Sequence, residues 1–187
     1  MNKRTIAITQ EQYIEIIKTI REGFLSSRPN NRIAMALILE ANIGIRISDI
    51  LQLRLNNFIK DGNRYRLDIV EQKTQKKRTF TVPNELMQYI RQYCIDNNIK
   101  SNEIIFPLTE RAIQKHLKLA CDYLGYEGIS THSFRKFFAT NIYINNDYNI
   151  ILVQELLQHS SPATTQKYIG IGTKQLESAI KNNLNLL

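Results

Sequence analysis

The strongest constraint on the fold is a helix-length stretch that is apolar on most of its faces, NRIAMALILEAN at residues 31–42. A helix with one apolar stripe can lie on a surface, but a helix that is apolar all round has to be covered by other elements. Gly44 is its natural stop, because glycine accepts the left-handed backbone that ends many helices. The stretch therefore predicts a central helix with the rest of the chain packed around it.

Helical spacing of apolar residues predicts most of the other elements. Thr9 and Gln12 have the capping-box spacing, and the helix that they begin is expected to run to about Ser26. A short helix is expected in RISDIL, with Ser48 or Asp49 as its cap. Further helices are predicted at about 83–97, 109–124, 131–145, 150–158 and 162–169, and in the last segment, KQLESAIKNNL.

Two short segments have the alternation of β-strands instead. The segment RYRLDIV at residues 64–70 alternates apolar and polar side chains, and RTFTV at residues 78–82 does the same. The segment between them, EQKTQKK, is polar and basic. The pair predicts an antiparallel hairpin with a basic tip, so the expected fold class is mainly α with a small antiparallel β-sheet (α+β).

Composition and charge narrow the class of partner. The chain has 187 residues, of which 43% are hydrophobic, so it can bury a core without disulfides or a structural metal. Lys and Arg total 25 against 17 acidic residues, a net charge of +8, which favours a polyanion such as nucleic acid. No apolar run approaches the ~18 residues that span a bilayer. Cys94 and Cys121 lack metal-ligand spacing and are interpreted as reduced thiols of a cytoplasmic protein.

Several polar residues are candidates for a site, although each also has a structural interpretation. His132 and Arg135, in THSFRKFFAT, share one helix face, which is either a surface or a site for phosphate or carboxylate. Arg46 lies between two isoleucines and is expected to be half-buried, so it needs an anion. Asp49, three residues later, either orients Arg46 or forms a plain salt bridge with it.

Three further candidates lie in turns and in a short helix. Lys73 belongs to the basic hairpin turn with Lys76 and Lys77, where it is either solvated or able to deliver a proton. His159 ends LLQH, and Tyr168 follows nine residues later, at the end of the next helix. Taken alone, a single tyrosine is most simply a packing residue.

The order of these residues resembles the tyrosine recombinases, the phage-integrase family of DNA strand-exchange enzymes. The resemblance is carried by GIRISDIL, by the lysine of the hairpin turn, by HSFR as an H-x-x-R motif, and by LLQHSSPATTQKY. The H-x-x-R pair alone is weak evidence, but the complete order R…K…H-x-x-R…H…Y is highly specific. It covers almost the whole chain and implies the DNA breaking-rejoining fold of a tyrosine-recombinase catalytic domain.

The resemblance also implies roles for the phosphate-binding residues and the nucleophile. Arg46 and Arg135 are expected to clamp the scissile phosphate, and His159 to donate a hydrogen bond to a non-bridging oxygen. Tyr168 is the expected nucleophile. Where family members commonly have glycine before the second histidine, this chain has Gln158.

The remaining implied roles concern proton transfer and support. Lys73 is expected to protonate the leaving 5′-oxygen, and His132 to assist proton transfer. Asp49 matches the acidic residue that usually follows the first arginine, a supporting position.

The implied function is that of a site-specific recombinase or integrase acting through a covalent 3′-phosphotyrosine. No cofactor, metal or ATP is expected, since the sequence has neither a Walker A motif nor an acidic cluster typical of two-metal nucleases. Two alternatives remain open at this point: a type IB topoisomerase with the same chemistry, and a non-catalytic DNA-binding regulator with the same fold.

Partners and domain organisation follow from the same resemblance. The expected partners are double-stranded DNA and further copies of the chain, as a dimer or tetramer on DNA, with accessory DNA-bending or directionality proteins possible and no membrane. Residues 1–187 are predicted to form one catalytic domain, and nothing in them matches the family's N-terminal core-binding domain. A stripe in the last segment, Leu176, Ile180 and Leu184, is expected to dock on a neighbouring protomer when DNA is bound, with packing in cis onto its own core as the alternative in the free protein.

Overall fold

A computed structural model describes residues 5–25, 27–73, 75–169 and 181. Within these segments it contains eight α-helices, three β-strands and a 3₁₀ turn at Leu55–Asn57. The helices are α1 Gln10–Glu22, α2 Asn31–Ile43, α3 Ile47–Ile50, α4 Asn84–Asp96, α5 Glu110–Leu124, α6 Thr131–Asn145, α7 Ile150–Leu157 and α8 Pro162–Ile169. The strands are β1 Phe58–Asp61, β2 Arg64–Val70 and β3 Lys77–Val82. The last predicted helix and its apolar stripe lie outside the described residues.

The prediction of a central helix is confirmed by α2. Ten of its thirteen residues are buried, and α1, α3 and α6 pack against it. The helix begins after Asn30, whose side chain accepts a hydrogen bond from the amide of Ile33, and it ends at Gly44 with a left-handed φ of 69°. The segment around Gly44 therefore enters the core of the molecule, and Arg46 begins where α2 stops.

Two expectations about helix ends differ from the structure. The capping box of Thr9 and Gln12 is present, but α1 ends at Glu22, because Gly23 has a φ of 82° and turns the chain before Ser26 is reached. The short helix α3 has Arg46 at its N-cap position, without a capping hydrogen bond from a side chain. The predicted caps, Ser48 and Asp49, are therefore wrong, since both lie inside α3.

The predicted hairpin is confirmed as β2 and β3, which pair in antiparallel fashion with Leu67 opposite Phe80. A third strand, β1, pairs with the other edge of β2 and gives the sheet order β1-β2-β3. It was not predicted, because four residues are too short for their alternation to stand out. Leu67 and Val82 are buried on the inner face of the sheet, which packs on the helical core.

The apolar interior of the described segments consists of two clusters. The large one extends from α1 through the sheet to Phe134 and Phe137 of α6. A smaller one is formed by Ala139, Val153, Leu157 and Ile169, from α6, α7 and α8, with Tyr168 packed at its edge. Helix α6 thus belongs to both clusters. None of the helices described is long and apolar enough to cross a membrane.

Candidate active site

Arg135 lies at the centre of the site, between the two apolar clusters. It is only 2% exposed, so the interpretation as a solvated surface is wrong for Arg135, whereas His132 on the same helix face is exposed. Its Nη1 donates to the carbonyl oxygen of Gly44 at 2.7 Å, and its Nη2 donates to that of Leu157 at 3.3 Å. These hydrogen bonds tie the end of α2 to the end of α7 and fix the orientation of the guanidinium.

Arg46 projects from the junction of α2 and α3, and its side chain is 20% exposed, as expected for a half-buried arginine. Its Nη1 contacts Oε2 of Glu71 at 2.7 Å. The described contacts give no salt bridge from Arg46 to Asp49. The Oδ1 of Asp49 instead accepts a hydrogen bond from the backbone amide of Gln72 at 2.9 Å, so this carboxylate holds the lysine turn.

Glu71 and Arg78 form a buried ion pair that the sequence analysis missed. Oε1 of Glu71 lies 3.0 Å from Nη1 of Arg78, and the two side chains are 2% and 4% exposed. Arg78 also donates to the carbonyl oxygen of Leu156 and lies over the ring of Phe80. Strand alternation could have indicated that both residues point inward. Glu71 continues the inward face of Leu67, and Arg78 shares its face with Phe80.

Lys73 is exposed in the turn between β2 and β3, as predicted. The turn is closed at its base, where the amide of Glu71 donates to Lys76 and the amide of Gln75 donates to Glu71. Lys73 acts on His132 across the site. Partial desolvation lowers the pKa of His132, the charges of Arg135 and Arg46 add to this, and Lys73 acts in the same direction. The positive charge of Lys73 therefore helps to keep the His132 imidazole neutral.

The end of α7 places His159. Gln158 ends the helix with a left-handed φ of 54°, which turns the chain so that His159 faces the site. The Nδ1 of His159 lies 3.0 Å from Oγ1 of Thr165, and its ring meets that of Tyr168 edge-on, 5.1 Å between centroids. Burial lowers the pKa of His159 to about 4, with Arg135 contributing, so this histidine is neutral at pH 7.

Tyr168 lies in α8 at the edge of the small apolar cluster. Its hydroxyl is buried, and no hydrogen bond of normal geometry joins it to a described residue. Burial raises the pKa of Tyr168 to about 12, although the nearby Arg135 opposes this shift. The ammonium of Lys136 lies 5.3 Å from the ring centroid. The phenol is therefore protonated in the free protein, next to a fixed positive charge.

The charges of the two arginines act on three of the other predicted catalytic residues, and that of Lys73 acts on His132. Arg46 and Arg135 both influence His132, His159 and Tyr168. In the described segments no group of three or more His, Cys, Asp and Glu side chains is placed to hold a metal ion. Two arginine forks beside a phenol suit a phosphodiester, because they bind its oxygens while the hydroxyl faces phosphorus. Such an arrangement is typical of phosphoryl-transfer proteins.

Comparison with known proteins gives the family. The phage integrase family matches residues 7–174, and the chain belongs to this family of tyrosine-type site-specific DNA recombinases. It is 33% identical over 175 residues to the probable integrase/recombinase YoeC of Bacillus subtilis (strain 168), covering 90% of this chain and 92% of that protein.

Solved structures show the same fold at lower identity. The XerH site-specific recombinase bound to palindromic difH substrate superimposes with a TM-score of 0.71 at 22% identity, over 96% of this chain and 53% of that chain. The catalytic domain of bacteriophage HP1 integrase gives 0.64 at 19% identity, over 96% of each chain. Several other curated relatives are longer, and this chain spans only 51 to 62% of their length. These relatives favour the recombinase over the topoisomerase and regulator alternatives.

Proposed function

We propose that this chain cleaves and rejoins duplex DNA at specific sites through a covalent bond between Tyr168 and a 3′-phosphate, without metal or ATP. The observation that carries the proposal is the position of Tyr168 beside Arg135, whose guanidinium is held by Gly44 and Leu157. Site-specific recombination is the activity of the family, and the residue assignments below are proposals for this chain.

The two arginines neutralise the scissile phosphate. Each has part of its donor fork bound to the protein, Arg46 to Glu71 and Arg135 to two carbonyl oxygens. An arginine has five donors, so donors remain for the phosphate oxygens. Because these groups are oriented before the substrate binds, they stabilise the charge of the transition state without reorganisation. In the neutral tautomer whose Nδ1 accepts a hydrogen bond from the hydroxyl of Thr165, His159 has its proton on Nε2 and donates it to a non-bridging oxygen.

Strand cleavage requires one proton to leave the nucleophile and one to reach the leaving group. The hydroxyl oxygen of Tyr168 forms a bond to phosphorus and loses its proton, and we assign its acceptance to His132, whose lowered pKa keeps it neutral at pH 7. The bond from phosphorus to the 5′-oxygen breaks, and Lys73 supplies a proton to that oxygen. The phosphotyrosine conserves the phosphodiester bond, so a 5′-hydroxyl reverses the reaction without ATP. Fixed cations take the part that metal ions have in other nucleases.

The proposal extends to organisation and partners. We propose that residues 1–187 act as a catalytic domain in the cytoplasm and that copies assemble on double-stranded DNA as a dimer or tetramer. Support comes from the +8 charge and from relatives whose structures are DNA complexes, such as XerH on difH. Accessory DNA-bending or directionality proteins and a core-binding domain supplied by another segment fit this organisation.

Tyr168→Phe tests the nucleophile, because it removes one hydroxyl and keeps the ring. The matched control is Tyr143→Phe, which alters another half-buried tyrosine at the edge of the same small cluster. Each protein is incubated with a nicked suicide substrate and run on a denaturing gel. We expect a covalent adduct with the wild-type chain and the control, and none with Tyr168→Phe. An adduct that persists in Tyr168→Phe would refute the assignment.

A further inference from the structure

The buried pair of Glu71 and Arg78 connects the elements that carry three of the proposed catalytic residues. Glu71 contacts Arg46 with one carboxylate oxygen at 2.7 Å and Arg78 with the other at 3.0 Å. The backbone of Glu71 closes the turn that contains Lys73. Arg78 donates to the carbonyl of Leu156, at the end of the helix that precedes His159. One carboxylate thus links the phosphate clamp, the lysine turn and the end of α7.

The position of this pair is unusual for a sheet that covers a core. Neighbouring inward positions are occupied by apolar residues such as Leu67 and Val82. Replacing a buried ion pair by apolar residues of similar volume is often neutral or stabilising, because desolvation offsets the attraction of the charges. Stability therefore does not account for the pair. The alternative is that the pair has a geometric role, because the carboxylate of Glu71 bridges Arg46 and Arg78 and orients both.

The contacts of Glu71 orient the guanidinium of Arg46 and the start of the turn that contains Lys73. Arg46 has a flexible side chain, and its contact with Glu71 selects one direction for the fork. The next residue, Gln72, is held by Asp49 from α3, so side chain and backbone at the start of the turn are both tied to the Arg46 segment. A displacement of Glu71 would move Arg46 and the turn of Lys73 together.

We propose that Glu71 is a positioning residue that, with Arg78, sets the fork of Arg46 and the turn of Lys73 on the same phosphate. The inference rests on the proposed function, since it assigns a geometric basis to the joint action of clamp and acid. Glu71 itself does not touch the substrate. Because misplacement of a reacting group by about 1 Å can cost roughly a hundredfold in rate, loss of the carboxylate is expected to slow cleavage strongly.

The first variant, Glu71→Gln, is tested on two substrates. One has the normal phosphodiester, and the other has sulfur in place of the bridging 5′-oxygen, which leaves as a thiolate and needs little protonation. Two reference variants define the limits: Lys73→Ala is expected to be slow on the normal bond and restored by sulfur, whereas Arg46→Ala is expected to stay slow on both. We expect Glu71→Gln to cleave the normal bond about ten- to a hundredfold more slowly and to be restored only in part by sulfur.

Partial restoration is the signature of a residue that positions both groups. Complete restoration would mean that Glu71 acts only on the turn of Lys73. The absence of any restoration would mean that Glu71 acts only on Arg46. Either result overturns the joint role. Wild-type rates on both substrates overturn the proposal altogether. The matched control is Asp68→Asn. Asp68 is a carboxylate of β2, the strand that ends just before Glu71, and it pairs with Arg66 on the opposite, solvated face, so the variant is expected to cleave like the wild-type chain.

A double variant separates positioning from folding. Glu71→Met with Arg78→Met replaces the buried pair by apolar side chains and is expected to unfold at a temperature no lower than that of the wild-type chain. Its cleavage should nevertheless be as slow as that of Glu71→Gln, and wild-type cleavage by the folded double variant would overturn the proposal.

A readout that does not depend on cleavage is the NMR signal of the Arg46 guanidinium, assigned by comparison with Arg46→Lys. We expect restricted rotation of this group in the wild-type chain and free rotation in the double variant. If the wild-type chain forms no covalent adduct, the proposed function fails. The NMR comparison then still decides whether Glu71 orients Arg46, and equal rotation in both proteins would refute that.

Discussion

Gln158 occupies a backbone conformation that costs a non-glycine residue about 1–2 kcal/mol. The side chain of Gln158 contributes little stability to offset this cost, since its hydrogen bond to the carbonyl of Lys77 is long, at 3.4 Å. Gln158→Gly should therefore raise the free energy of unfolding by about 0.5–1 kcal/mol, the relief being reduced by the greater freedom of glycine in the unfolded chain. Urea unfolding measures the change. A loss of stability would show that the contact with Lys77 outweighs the backbone strain.

The lowered pKa of His159 makes stability depend on pH. In the unfolded chain a histidine takes up its proton near pH 6.5, whereas in the folded protein this histidine does so near pH 4. Between these values the unfolded state binds more protons, so stability falls as the pH falls through this range. His159→Asn should lose less stability between pH 6.5 and 4 than the wild-type chain does. His132 and His116, whose pKa values are also lowered, are present in both proteins.

Thermal unfolding of both proteins at several pH values between these limits provides the measurement. Curves that stay parallel over the whole range would contradict the buried, neutral state of His159.

Individual residues were predictable from the sequence to different degrees. The order of the six catalytic candidates matches the motif of the tyrosine recombinases, and this resemblance, rather than any spacing alone, is what led us to expect them in one site. Asp49 could not be placed in the same way, because its hydrogen-bond partner, the amide of Gln72, lies 23 residues away. Glu71 was missed because a charged residue next to a basic turn suggests solvent, although strand alternation directs it inward.

At the scale of elements, the packing of α2 against α6 depends on Gly44. A Cβ at this position would lie 2.2 Å from the ring of Phe138, and φ is +69°. Gly125 ends α5 with a similar φ of +75°, but a Cβ there meets nothing within 4 Å. A side chain would therefore strain the backbone at both positions, but only at Gly44 would its Cβ collide with a neighbouring residue.

Gly44→Ala should therefore destabilise the protein more than Gly125→Ala does. The left-handed backbone costs alanine about 1–2 kcal/mol at either site, and overpacking adds about 1–3 kcal/mol at Gly44. The free energies of unfolding of the two variants, measured in urea, give the difference directly. Equal destabilisation would mean that Phe138 moves aside without cost, and that the junction before Arg46 is less tightly packed than its contacts indicate.

Helices with a clear start signal were the ones that the sequence predicted well. The bounds of α5, α6 and α8 agree with the prediction, and each has a clear beginning in Thr109, Ser130 or Ser161 followed by Pro162. Strand β1 was missed because its formation depends on pairing with β2. The early end of α1 depends on the turn at Gly23, where the chain pairs Phe24 with Ser27.

At the scale of the whole molecule, the proposed nucleophile and the first arginine belong to different apolar clusters. Tyr168 packs at the edge of the cluster formed by α6, α7 and α8, whereas Arg46 follows the central helix of the large cluster. Arg135 connects the two clusters, since one of its hydrogen-bond acceptors, Leu157, belongs to the small cluster, and the other, Gly44, lies between Ile43 and Ile45 of the large one. This arrangement could not be predicted from the sequence, because periodicity identifies apolar faces but not which of them share a core.

The net charge of +8 predicts how this chain binds DNA. Contacts between its cations and phosphates release counterions, so the logarithm of the affinity should fall linearly with the logarithm of the salt concentration, by about 0.9 for each phosphate neutralised. We expect weak binding of duplex DNA by this chain alone, with a steep salt dependence. Titrations at several salt concentrations measure the slope, and Arg46→Ala should reduce it by about one phosphate contact.

The conservative Arg46→Lys keeps the charge and should keep the slope, although it loses the forked geometry that cleavage needs. A flat salt dependence, or tight sequence-specific binding by this chain alone, would contradict an interface dominated by phosphate contacts.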